Sequence, residues 1–197
     1  MRFVRGSEAG ERICWGRSFE SARRVSCSQR SGLILVSGDS PTLYNATDFS
    51  VIRKWMSHAF NCSIDRDGSA IALSSVDGGI NIYHSSCVGS GKKLQLRDCD
   101  GNVNVLDFSA DGTNLLARSN GDGLLRLWNV FDRKTPRFEK SYNCCMSADA
   151  RLIINENANG ITAYRSSAGA LSVQGCILLA DDNTQEMCVS SCGRVFL

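Results

Sequence analysis

Histidine is nearly absent from this 197-residue chain, which holds only His58 and His84. Nucleophilic catalysis by serine or cysteine needs a neighbouring base and a third group to orient it. Two histidines offer little for that purpose, and no enzyme activity is expected. Long apolar runs are missing as well. The longest are short, such as Cys176 to Ala180, and none approaches the length of a membrane span. No apolar stretch follows Arg2 and Arg5, so a secretory signal is not expected either. Neither sign of charge is in large excess, because the formal net charge is +2. No global field therefore demands a nucleic acid or an anionic membrane as partner. The N-terminal arginines (Arg2, Arg5, Arg12, Arg17, Arg23 and Arg24) are interleaved with Glu8, Glu11 and Glu20, which leaves a weak local bias. At 43% hydrophobic and 21% charged residues, the composition is that of a soluble globular protein and argues against disorder. The length suffices for a sizeable core in a single domain.

Cysteine, by contrast, is plentiful, with ten in the chain. No pair has the Cys-x-x-Cys spacing of a zinc knuckle. Cys144 and Cys145 are adjacent, and Cys188 and Cys192 are four apart. The expectation is free, buried cysteines acting as small hydrophobes in a reducing compartment, the cytoplasm or the nucleus. No metal and no cofactor are expected. The sequons at Asn45 and Asn61 would matter only in a secreted protein and are read as chance.

Internal repetition is the dominant feature. The clearest unit runs from Val103 to Trp128 and reads as three short strands. The first, Val103 to Phe108, alternates apolar and polar residues up to Leu106. The turn Ala110-Asp-Gly112 leads to Leu115-Leu-Ala117, and the turn Asn120-Gly-Asp-Gly123 leads to Leu124 to Trp128. A weaker segment around Arg137-Phe138 would form an outer edge strand. The same grammar recurs in Phe60 to Tyr83, in Asn143 to Tyr164 and, less sharply, in Val25 to Tyr44. A fifth unit begins at Met187 and reaches Val195-Phe-Leu197. First-turn landmarks Gly32, Gly68, Gly112, Ala150 and Gly193 are spaced 36, 44, 38 and 43 residues apart. Aromatic landmarks Tyr44, Tyr83, Trp128 and Tyr164 are spaced 39, 45 and 36 apart. Both sets fit four-stranded units of about forty residues, and unrelated hairpins in another all-β fold would not keep two such periods.

These residues resemble the WD-repeat family. Leu106-Asp-Phe-Ser-Ala-Asp-Gly112 is similar to the family's first inner strand and turn, and Asp122 six residues before Trp128 to its second turn and third strand. Asp77 and Tyr83 keep the same interval. The resemblance implies that Asp122 and Asp77 hold their tight turns by hydrogen bonds, and that Tyr164 marks a further blade. There are departures. The family's Trp-Asp is Trp128-Asn129 here, then Tyr83-His84, Tyr164-Arg165 and Tyr44-Asn45, and its opening Gly-His is missing. In the first and fourth units Asp39 and Asn159 stand five residues before their tyrosines. The implied fold is all-β, a partial β-propeller of about four complete four-stranded blades plus part of a fifth. Its units are expected at 24–57, 58–100, 101–141, 142–185 and, in part, 186–197. Residues 1–23 would supply the outer strand of a preceding blade or nothing regular. Propellers of this family commonly close with seven blades. The expectation is therefore a fragment of a longer chain, or a ring completed by another subunit.

Beyond the histidines, few residues suggest chemistry. His84 follows Tyr83, where the family places a structural aspartate, and reads as a blade residue. Cys62 and Cys144 lie six residues before their landmark turns, and Cys145 and Cys188 five before. This recurrence suits packing between blades rather than reactivity, and a longer turn would bring Cys27 into the same set. Gly89-Ser-Gly-Lys-Lys93 lacks phosphate-loop spacing and reads as a flexible loop. Lys92, Lys93 and Arg97, with Arg133, Lys134 and Arg137, occupy corresponding places in neighbouring units and would make one positive strip. Such a strip suits RNA or an acidic partner, or a charged, solvated strand edge. The expected function is a non-catalytic protein-interaction scaffold or adaptor subunit without membrane insertion. The alternative is a subunit of an RNA-containing or regulatory assembly.

Overall fold

The structure is a computed structural model and describes residues 21–28, 30–84, 94–131, 137–167, 170–177, 188–189 and 195–196. Most of the expected N-terminal segment and of the fifth unit lies outside the described residues. Every regular element among the described residues is a β-strand. Sixteen strands form four antiparallel, four-stranded sheets, each built from consecutive strands. The first sheet holds β1 (Val25–Ser28), β2 (Leu33–Val36), β3 (Thr42–Asn45) and β4 (Val51–Lys54). The second holds β5 (Cys62–Ile64), β6 (Ala70–Ser74), β7 (Ile80–His84) and β8 (Leu94–Leu96). The third holds β9 (Val103–Phe108), β10 (Asn114–Ser119), β11 (Leu124–Asn129) and β12 (Arg137–Lys140). The fourth holds β13 (Asn143–Met146), β14 (Leu152–Asn157), β15 (Gly160–Ser167) and β16 (Ala170–Ile177). A two-stranded pair, β17 (Cys188–Val189) and β18 (Val195–Phe196), follows.

The turn between the first two strands of each sheet explains the first set of landmarks. Gly32, Gly68, Gly112 and Ala150 all take a left-handed backbone, at φ values of 61°, 73°, 68° and 55°. That conformation is cheap for glycine and strained for alanine. Around it, a short polar side chain replaces missing backbone partners. Ser109 Oγ accepts the Asn114 N–H at 2.9 Å and donates to Asp111 at 2.6 Å. Ser147 does the same with the Leu152 N–H and Asp149, at 3.0 and 2.6 Å. In the second sheet Asp65 takes the serine's place, accepting from the Ala70 N–H at 3.0 Å.

Register makes the sheets comparable residue by residue. Tyr44 lies opposite Ile34, which lies opposite Cys27. The same three places hold Tyr83, Ile71 and Ile64 in the second sheet. They hold Trp128, Leu115 and Phe108 in the third, and Tyr164, Ile153 and Met146 in the fourth. Alternation along a strand sends these residues to one face and their neighbours to the other. Tyr83 and Ile71 pack with Leu35 and Leu43 of the first sheet. Trp128 and Leu115 pack with Ala72 and Ile82 of the second. Tyr164 and Ile153 pack with Leu116 and Leu127 of the third. The sheets are thus stacked in chain order, each laying an aromatic-bearing face on the aliphatic face of the one before.

The first strands of the sheets run beside one another, β1 by β5, β5 by β9, β9 by β13 and β13 by β17. They are also stitched across the gap. The Ile64 N–H donates to Ser26 Oγ and the Phe108 N–H to Ser63 Oγ, each at 3.1 Å. Sheets that fan out from neighbouring first strands make a blade-like β architecture. One sequence expectation fails here. Cys62 and Cys144 share a place, opposite Leu73 and Asn155, but Cys27 does not join them. Its position matches Ile64, and Val25 takes the place of Cys62, because Gly32 stands one place later in a connection of the same length.

Candidate functional site

The aspartates expected in the second turns sit in closely similar settings. Asp77 Oδ1 accepts the Gly79 N–H at 3.1 Å, and Asp122 Oδ1 accepts the Leu124 N–H at 2.9 Å. A carboxylate that bonds the backbone two residues on mimics a turn and fixes it. A hydrogen bond from Ser75 and that of Gly79 hold the Asp77 carboxyl below its ordinary range. Asp122 goes further, because Arg126 of β11 bonds it with both terminal nitrogens. The guanidinium holds the Asp122 carboxyl down at about 2. Arg126 is only 2% exposed. Its Nε lies 3.5 Å from Asp98 Oδ2, so two carboxylates flank one buried cation. In the fourth sheet the equivalent backbone bond comes from Asn157, which accepts the Asn159 N–H at 2.8 Å. The sequence pointed to Asn159 as the turn residue, two positions late.

The aromatic landmarks Tyr83, Trp128 and Tyr164 are 8%, 5% and 9% exposed. They are inter-sheet packing residues. Arg53 of β4 lies over the Trp55 and Tyr83 rings, at 5.0 and 5.4 Å from their centroids, which ties the edge of the first sheet to the second.

The expected basic strip is not assembled among the described residues. Lys92, Lys93, Arg133 and Lys134 lie outside them. Arg97 follows β8 and reaches back to Asp77 at 4.0 Å. Arg137 opens β12, at the opposite end of the corresponding outer strand, paired with Arg126 of β11. The two arginines therefore stand at different ends of their strands.

Groups with chemical potential are scattered. His58 Nε2 faces Asp39 Oδ1 at 3.4 Å, and its ring meets Phe60 edge-on. His84 stacks on Phe131, 6.4 Å between centroids. Burial pushes the Cys62 thiol up to about 11 and the Cys144 thiol up to about 12, which keeps both protonated and unreactive at neutral pH. Asp107 reaches water, yet the converging first strands crowd it. That desolvation pushes its carboxyl up to about 6, against the pull of the Arg24 guanidinium. Among the described residues, no group of three or more His, Cys, Asp or Glu side chains is arranged to hold a metal ion. No helix there is long and apolar enough to cross a membrane.

One surface differs from its counterparts. In the first sheet the face that bears Tyr44 has no sheet described over it. Val25 is 57% exposed and Val51, opposite Tyr44, 59% exposed. Cys27 is exposed, and Ile34, Val36 and Tyr44 are half-buried. These residues alternate along their strands and were visible in the sequence. Their exposure was not, because it depends on which sheet covers which. Neither a comparison with protein-family models nor one with curated proteins finds a match to this chain.

Proposed function

We propose that this chain is an incomplete β-propeller of the WD-repeat kind that works as a non-catalytic protein-interaction scaffold or adaptor subunit. The observation that carries this reading is the face of the first sheet around Tyr44, which no described sheet covers, the counterpart of three faces that each hold a neighbouring sheet. Four meander sheets in chain order, fanning from adjacent first strands, support the propeller part of the reading. Left-handed turns at the repeat landmarks support it too. Residues 186–197 then open a fifth blade, and β17 beside β13 fits that place. Rings of this type need further blades to protect their edges, supplied by the rest of a longer chain or by another subunit. An apolar patch rimmed by polar residues is the usual mark of a protein partner.

Lys54, in register with Thr42 on the same face, offers an amine at the rim. Amine-directed crosslinking of the tagged chain, read by mass spectrometry, is expected to join Lys54 to an identified polypeptide, and Val51→Glu is expected to abolish that link. Links confined to other lysines, unchanged by Val51→Glu, would contradict the scaffold reading.

A further inference from the structure

We draw no further inference here: the strongest candidate, the side-chain cluster between the third and fourth sheets where Asp107 of β9 takes the register place from which Ser26 and Ser63 stitch the other first strands, carries nothing because it rests on the titration of that one carboxyl alone.

Discussion

Tyr44 and Tyr83 occupy the same place in neighbouring sheets, and they differ in what lies over them. Tyr83 belongs to a buried cluster with Leu35, Leu43 and Trp55, whose ring meets its own, and has a guanidinium against it. Tyr44 has Val51 beside it and stands half-exposed. The two share a strand register, each opposite an isoleucine of the second strand, Ile34 and Ile71. The difference that bears on their burial lies in tertiary packing. A repeat unit of this kind dictates its own meander but leaves to its neighbour the burial of its aromatic face.

Truncation on either side of that divide should give the largest contrast. Trp128→Ala, at a covered face, is expected to cost about 4 kcal/mol in denaturant unfolding. Tyr44→Ala, measured in dilute protein, is expected to cost about 1 kcal/mol, in line with a half-exposed site. Equal costs would erase the distinction between the two faces.

The interface between the second and third sheets also contains an ion cluster with no counterpart among the described residues of the open face. Asp122→Asn is expected to cost about 2 kcal/mol, because it strips a charge-assisted partner from buried Arg126. The pH dependence follows from the depressed carboxyl. Its contribution is present above the ordinary aspartate range and is lost as pH falls from about 4 towards about 2. The Asp122→Asn variant should lack that acid-limb loss. An unchanged acid limb would mean that the pair contributes nothing.

Much of this organisation was legible in the chain. The landmarks at Gly32, Gly68, Gly112 and Ala150 coincide with left-handed turns because only a small set of residues tolerates that backbone. Strand positions such as Val103–Phe108 followed from alternation. What escaped was anything that depends on register or stacking. Cys27 falls out of the set with Cys62 because counting from the glycine cannot see that Gly32 stands one place later in a turn of the same length. Arg126 gave no sign of burial, since arginine at a strand position ordinarily reads as solvated. β16 was missed although Ala170–Ile177 alternates weakly, because most of its described side chains face solvent. The open face itself could not be told from its buried counterparts, as the four carry the same kind of residues.

A subtler comparison sets Gly112 against Ala150, which share one turn position. Gly112→Ala is expected to cost about 1–2 kcal/mol through its left-handed backbone, with a Cβ that would meet Asp65 Oδ2 at 2.9 Å. Ala150→Gly should instead stabilise by about 0.5 kcal/mol. Thermal melts of both variants check the pair, and opposite signs are the outcome to look for. The smallest effect is expected at Asp107. Its carboxyl is raised in the folded protein, so native stability falls as pH rises from about 4 through about 6. Asp107→Asn should therefore raise the melting temperature at pH 7 and leave it unchanged at pH 4. A destabilising effect at pH 7 would show that the carboxylate is held by partners rather than crowded.

Thiol labelling in the native state tests the stacking of the described sheets, and the exposure of the first sheet's outer face, most directly. Cys27 sits on the open face, while Cys62 and Cys144 lie in register-equivalent places between sheets. In dilute protein, Cys27 is expected to react at the rate of an accessible thiol, with Cys62 and Cys144 reacting only as fast as the chain unfolds. Labelling of Cys62 or Cys144 at the rate of Cys27, or protection of Cys27 as deep as theirs, would contradict it.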